Sequence, residues 1–131
     1  MIFIDSNVPM YLIGASHPNK ARAVELVNRL VRAGERLVTD IEVYREILHR
    51  YTAIRRTDAI DVAFRSLDVI ADEILTFGMR EIRAAQSIID AVDGVSARDA
   101  LHVAIMRSSR IERILSFDRG FDAFPELDRL H

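Results

Sequence analysis

The sequence alternates regularly between short apolar runs and longer amphipathic segments, and this alternation constrains the fold most strongly. Short runs typical of buried strands cover Ile2–Ile4, Leu37–Thr39, Ile74–Phe77 and Ile114–Phe117. Segments with helical periodicity lie between them, so the pattern predicts βαβ units, a parallel sheet and helices on both of its faces. We therefore predict an α/β sandwich with a short, mostly parallel sheet of four or five strands. The fifth strand would come from the tail around Leu127 and Leu130.

The predicted helices begin and end at residues that favour helix termini. Pro9 suits the first turn of a short helix that reaches about Leu12, and Gly14 ends it. An amphipathic helix follows from about Asn19 to Ala33. Further helices are predicted from an N-cap at Asp40 through Tyr51, from Asp58 to Leu67, from Ile82 to Val92, and from Ser96 through Ile105.

Length and composition narrow the class of protein. A chain of 131 residues is the size of one domain, which we predict to span residues 1–131. Its 18 Lys and Arg residues against 20 Asp and Glu residues argue against holding nucleic acid by bulk positive charge. The lack of cysteine excludes disulfides, thiolate zinc sites and cysteine nucleophiles. No basic leader or long apolar stretch is present, so we expect a cytoplasmic protein without a membrane span.

Several acidic residues are predicted to meet at one edge of the sheet. Ligand sites of open parallel sheets lie beyond the carboxyl ends of the strands. Asp5 and Asp118 follow the first and fourth strands, and Asp99 lies in the first turn of the helix that leads into the fourth strand. Glu42 and Glu46 occupy the first two turns after the second strand. These acids are far apart in the sequence, but the predicted fold places them close together in space.

Clustered carboxylates repel one another in a partly desolvated cleft unless a proton or a cation compensates them. Mg²⁺ or Mn²⁺ prefers such oxygen ligands and can activate a water for attack on phosphorus. We therefore hypothesise metal-assisted phosphodiester hydrolysis. Each acid also has a purely structural interpretation: Asp5 as a turn residue, Asp99 as a helix-terminal acid, Glu46 as a surface ion pair and Glu42 as a solvated side chain.

The histidines and glycines favour no other chemistry. His102 lies one turn after Asp99, where it could contact the site, but a packed helical side chain is the simpler interpretation. The four histidines are too dispersed for a zinc site. Neither glycine-rich phosphate loop nor a serine nucleophile elbow occurs in the chain.

Four segments together resemble a known family. Ile2–Asn7, Thr39–Leu48, Ala97–Ala104 and Leu115–Asp122 occur in the order and at the spacing typical of PIN domains, and in particular of the VapC toxins of type II toxin–antitoxin modules. The resemblance covers essentially the whole chain. It implies a PIN-like α/β/α sandwich and a cytoplasmic endoribonuclease that depends on Mg²⁺ or Mn²⁺. It also implies a homodimer that a cognate VapB-type antitoxin neutralises in a hetero-oligomer.

The resemblance further implies roles for individual residues. Asp5, Glu46, Asp99 and Asp118 match the acidic quartet, with Asp5 and Asp99 as direct metal ligands. Ser116 would orient a ligand or a water, Asn7 would support Asp5, and Asp122 would be an additional acid. Glu42 lies one helical turn before Glu46, so either could supply the second acid. Arg98 and Arg119, beside the ligands, would contact phosphates of a tRNA, rRNA or mRNA substrate unless they form surface ion pairs.

Two other functions are compatible with parts of this pattern. A phosphohydrolase of the haloacid-dehalogenase type would use Asp5 as nucleophile, but it needs a second Asp where this chain has Asn7 and a late lysine where the only lysine is Lys20. A non-catalytic PIN-like module would bind RNA or a protein partner without cleaving RNA. The intact acidic quartet argues against that second alternative.

Overall fold

The sheet consists of five strands: β1 (Ile2–Ile4), β2 (Leu37–Asp40), β3 (Glu73–Leu75), β4 (Arg113–Leu115) and β5 (Asp128–Leu130). The computed structural model describes residues 1–131, and in it the strands are arranged in the order β3-β2-β1-β4-β5. All four neighbouring pairs are parallel. This confirms the predicted α/β class and its parallel sheet, with the fifth strand formed by the tail.

Six helices connect these strands: α1 (Asn7–Ile13), α2 (Pro18–Arg32), α3 (Ile41–Ala53), α4 (Asp58–Ile70), α5 (Met79–Ala91) and α6 (Ala97–Ser108). A short 3₁₀ helix covers Arg119–Ala123. The predicted caps at Asp40 and Ser96 are confirmed, because their side chains accept hydrogen bonds from the backbone N–H groups of Val43 and Asp99. None of the helices is long and apolar enough to cross a membrane.

Two strands end earlier than the sequence predicts because their partners end. The apolar run Ile74–Phe77 gives a strand over Glu73–Leu75 only, since Leu75 pairs with Asp40 and the chain beyond Asp40 turns into α3. The run Ile114–Phe117 gives a strand that stops at Leu115, opposite the last residue of β1. Ser116 and Phe117 therefore lie in the loop that leaves the sheet, and Asp118 comes three residues after the strand.

The strand order creates a switch point in the middle of the sheet. From β1 the chain builds outward through β2 and β3, and then returns to place β4 on the other side of β1. Loops after β1 and β4 consequently diverge and leave a crevice at the carboxyl ends of the strands, the usual location of ligand sites in such sheets. Asp5 and Ser116 are the first residues of these two loops.

Helix α6 packs on the sheet through an unusually complete set of buried residues. Every residue from Ala100 to Met106 is buried, so the helix has no wide polar face. His102 is a member of this buried run and is fully inaccessible. A polar side chain in such a position must find partners inside the protein.

Candidate active site

Asp5 is buried at the centre of the crevice and accepts hydrogen bonds from three neighbours. Oδ1 accepts from the backbone N–H of Ser6 at 2.7 Å, and Oδ2 accepts from Asn7 Nδ2 at 2.8 Å and from Ser116 Oγ at 2.5 Å. The same Ser116 hydroxyl accepts the N–H of Asp118 at 3.0 Å. Residues that follow β1 and β4 are thereby joined into one network, in which the Asp5 carboxylate has a fixed orientation.

Glu46 joins this cluster from the second turn of α3. Its Oε1 lies 2.9 Å from His102 Nε2, and the other ring nitrogen, Nδ1, lies 2.7 Å from Asp40 Oδ2. Ligand atoms of Asp5, Glu46 and His102 all lie within 4.8 Å of one another. Both nitrogens of His102 already face carboxylates, so the imidazole orients Glu46 and is not free to bind a cation. The atoms available to a cation are therefore carboxylate oxygens.

Asp99 and Asp118 converge at the more exposed side of the site, above Gly120. A Cβ atom placed on Gly120 would lie 3.1 Å from Asp118 Oδ1 and 3.2 Å from Asp99 Oδ2, so both carboxylates lie close to this backbone. The N–H of Gly120 donates to Asp118 Oδ1 at 2.8 Å. A side chain at this position would push the two carboxylates apart by a few tenths of an ångström. Asp118 and Gly120 are exposed, so the site is open toward solvent at this point.

Burial dominates the electrostatics of the two carboxyl groups Asp5 and Asp99. Burial raises the pKa of Asp5 to about 6, although the positive charge of His102 and the bond from Ser116 oppose the shift. Burial and the charge of Asp118 also raise the pKa of Asp99. Carboxyl groups that resist ionisation in this way are stabilised as carboxylates by a cation at their centre.

His102 carries a positive charge between two carboxylates. Its burial disfavours the charged ring, but the hydrogen bonds to Asp40 and Glu46 raise the pKa of His102 well above its ordinary value. Burial of Glu46 is likewise outweighed, and the bond from His102 lowers the pKa of Glu46. Since both ring nitrogens face acceptors, only the doubly protonated imidazolium donates to both carboxylates.

Two acidic residues considered from the sequence are engaged elsewhere. Glu42 is buried but bonds to the guanidinium of Arg45, and it is not a member of the cluster around Asp5. Asp122 forms a two-pronged ion pair with Arg129, with N–O distances of 2.7 and 2.9 Å. A third nitrogen of Arg129 donates to the carbonyl of Ser116. Asp122 is thus linked to the loop of the site through Arg129.

Sequence reasoning prefers a packed helical role for His102 over a contact with the site, and it misses the contact of Asp40 with the imidazole. His102 was expected to be a packed helical residue, and it is packed, but it also bridges two carboxylates. Asp40 was expected only to cap α3; its Oδ1 does so, while Oδ2 accepts from the imidazole. The isolated histidine inside the apolar run of α6 was the available signal, since a buried imidazole requires partners.

The chain matches known proteins over nearly all of its length. The model of the PIN domain family matches residues 2–127. Over 130 residues the chain is 48% identical to Ribonuclease VapC13 of Mycobacterium tuberculosis, covering 99% of both chains. It therefore belongs to the PIN-domain family and, within that family, to the VapC ribonucleases.

Solved structures have the same fold. The crystal structure of VapC20 of Mycobacterium tuberculosis, described as a toxin that cleaves the sarcin–ricin loop, matches with a TM-score of 0.72 over 94% of each chain at 20% identity. A toxin–antitoxin complex from Klebsiella pneumoniae matches with a TM-score of 0.66 at 11% identity, covering 98% of this chain and 96% of that one. At these identities the likeness concerns the fold.

Proposed function

We propose that this protein is the toxin of a type II toxin–antitoxin pair and an endoribonuclease that hydrolyses RNA with Mg²⁺ or Mn²⁺. The observation that carries the proposal is the buried pair Asp5 and Glu46 at the switch point of the sheet, with Asp99 close enough that, besides burial, the charges of Asp118 and Glu46 raise its pKa. The ribonuclease names of its full-length relatives support it. A protein with this substrate and partner would act in the cytoplasm, as one domain.

The donors present fit a hard divalent cation. Asp5, Glu46, Asp99 and Asp118 would hold it through carboxylate oxygens, the ligand type that Mg²⁺ and Mn²⁺ prefer. When bound, the cation supplies the positive charge that activates a water and stabilises the leaving oxygen. Asn7 and Ser116 would keep Asp5 in place through their hydrogen bonds, as outer partners of metal ligands do.

The carboxylates at the solvent-exposed side of the site would accept the proton that the attacking water loses. Asp118 uses Oδ1 to accept from Gly120, which leaves Oδ2 to take a proton from the attacking water. In the hydrolysis the water oxygen forms a bond to phosphorus, the bond from phosphorus to the leaving oxygen breaks, and that oxygen ends protonated. Asp99, whose pKa is raised by burial and by Asp118, would sit next to this transfer. Asp122, held by Arg129, would contribute only by steadying the loop after β4.

The proposed partners are RNA, a VapB-type antitoxin and a second copy of the chain. Structures with this fold include a toxin–antitoxin complex, which supports an antitoxin for this protein as well. Helix α5 exposes Met79, Ile82 and Ile89, and these apolar side chains favour a protein partner on that face. Arg98 and Arg119 form no ion pair with an acidic side chain, which is consistent with contacts to RNA phosphates near the site.

Cleavage of a tRNA and rRNA pool by purified, antitoxin-free protein tests the proposal. We expect discrete fragments with Mn²⁺ or Mg²⁺, and none with EDTA or with Asp99→Asn, because that variant removes one ligand charge. Fragments that persist in EDTA and in Asp99→Asn would come from a contaminating nuclease, to be removed by further purification before the assay is repeated. Pure protein that binds RNA tightly without metal and never cleaves it would contradict the proposal and favour the non-catalytic module.

Glu46 is the proposed second acid, and the matched variants Glu46→Gln and Glu42→Gln decide between the two candidates. We expect Glu46→Gln to lower the cleavage rate by about 10²-fold or more, because a ligand charge at the cluster is lost. Glu42→Gln should cleave at the wild-type rate, since Glu42 bonds to Arg45. Rates are compared under single-turnover conditions. An inactive Glu42→Gln beside an active Glu46→Gln would reverse the assignment.

A further inference from the structure

A cleft of about 510 Å³ opens directly beside the acidic cluster. Its walls come from α1 and the loop after it, from the later turns of α3, and from the start of α6. Glu46 lines the cleft and also belongs to the cluster with Asp5, so the two sites are continuous. The volume lies within the range of about 300–1,000 Å³ that is typical of small-ligand sites.

The rim of this cleft carries two arginines that lack acidic partners. Arg50 and Arg98 are both exposed and line the cleft, and neither forms an ion pair. Arg45, on the same helix as Arg50, is by contrast tied to Glu42. Glu46 is the only acid that lines the cleft, and it is already bonded to His102. The two guanidinium groups are therefore available to an anion, and phosphate suits their planar donors.

A pair of stacked rings forms part of the wall. Tyr11 and His17 lie with centroids 5.1 Å apart and ring planes inclined by 29°, while Phe117 contacts Tyr11 edge-on at 5.2 Å. His17 is exposed but held in place, because its Nδ1 accepts the N–H of Asn19 as the N-cap of α2. An exposed ring that is fixed in this way loses little entropy when a further flat group stacks on it.

We infer that this cleft binds one nucleotide of single-stranded RNA next to the scissile bond, with its phosphate at Arg50 and Arg98 and its base against His17 and Tyr11. The inference rests on the proposed ribonuclease function, since a scissile phosphate at the acidic cluster places its neighbour here. Fixed aromatic rings beside unpaired arginines are the combination by which proteins hold single strands. An apolar peptide would leave both guanidinium groups without a counter-charge.

Three substitutions test the cleft in the Asp99→Asn background, which prevents cleavage during binding. Arg50→Gln and Arg98→Gln remove one charge each, and His17→Asn removes the ring while Asn keeps the capping acceptor. Arg32→Gln and His49→Asn are the matched controls. Arg32 is an exposed arginine in the last turn of α2, near the opposite edge of the sheet, and His49 is exposed on α3 outside the cleft. The probes are labelled 12-nucleotide RNAs, each built from a single type of base. Their binding is measured by fluorescence anisotropy with Mg²⁺ across a salt series.

The two kinds of contact should give different signatures. Each arginine variant is expected to weaken binding of all probes alike and to reduce the slope of log Kd against log salt by about 0.7, the value for one single-strand phosphate. His17→Asn is expected to weaken binding by about tenfold, to a degree that depends on the base, with an unchanged slope. Both controls should bind as the parent does.

Failure of the inference can be distinguished from failure of the proposed function. If the three variants bind RNA with the parental affinity and slope, while the corresponding single variants with Asp99 intact still cleave RNA at the wild-type rate, the cleft has another occupant and the inference is wrong. If the wild-type protein shows no metal-dependent cleavage, the proposed function itself is contradicted. Unfolding midpoints equal to that of the parent establish that the variants are folded.

Discussion

Replacing Asp5 by Asn is expected to abolish Mn²⁺ binding at the acidic cluster and to lower the rate of RNA cleavage by about 10³-fold or more, since the cation contributes several kcal/mol to the reaction. Asp5 is one of the two buried residues among the four proposed ligands, and its two oxygens accept three hydrogen bonds. An amide nitrogen at the position of Oδ2 would face the donors of Asn7 and Ser116. The variant therefore loses both the charge and the orientation of this group.

Isothermal titration with Mn²⁺ and single-turnover cleavage measure the two effects separately. Because the pKa of Asp5 in the metal-free protein is about 6, protons compete with the cation at this carboxylate. Wild-type affinity for Mn²⁺ should therefore be constant at higher pH and fall as the pH drops through 6. Asp90→Asn, which neutralises an exposed acid at the end of α5, should bind and cleave like the wild type. Asp5→Asn with wild-type metal affinity would exclude Asp5 as a ligand.

The parts of the fold that could be predicted from the sequence depend on local patterns. The central strand Ile2–Ile4 is a short apolar run. The capping residues Asp40 and Ser96 each stand directly before a segment with helical periodicity. In a parallel sheet such local assignments also fix which side chains come to the carboxyl edge. For this reason the sequence alone predicts which acids lie at the switch point.

The parts that could not be predicted depend on contacts between distant segments. The run Ile74–Phe77 looks uniform in sequence, and only the end of β2 at Asp40 limits its strand to Leu75. Glu42 and Glu46 share one face of α3 by periodicity. They differ because Arg45 bonds to Glu42, while His102, from a segment 56 residues away, bonds to Glu46. The helical periodicity of α3 is the same for Glu42 and Glu46, so it cannot show which of them joins the cluster.

His102 stabilises the folded protein at the site. Replacing it by Leu is expected to lower the free energy of unfolding by about 3–5 kcal/mol at pH 7. The imidazolium lies between Asp40 and Glu46, and all three side chains are buried. Leu has a similar size, so the main loss is of charge compensation, which leaves two buried carboxylates without a partner. That loss is a large fraction of the stability of a domain, typically about 5–15 kcal/mol.

Urea denaturation at pH 5 and pH 7 separates this cause from a packing defect. In the wild type the folded-state pKa of His102 is raised, so its contribution is fully present below its unfolded pKa of 6.5 and is lost only as the pH rises through the higher folded value. This wild-type gain from pH 7 to pH 5 alone would enlarge the deficit of His102→Leu. In the variant, however, two buried unpaired carboxylates take up protons over the same range, which stabilises its folded state by more, so the deficit should shrink from pH 7 to pH 5.

Two further variants show whether the lost hydrogen bonds account for the effect. His102→Gln keeps one donor and should fall between the wild type and His102→Leu, because one of the two carboxylates retains its bond. His49→Leu, an exposed change on α3, should alter stability by no more than about 0.5 kcal/mol. A deficit in His102→Leu that is equal at both pH values would indicate that shape, and not charge, is what this histidine contributes. If the deficit shrinks as expected, the buried imidazolium of His102 in α6 stabilises the carboxylate of Glu46 in the metal-free protein.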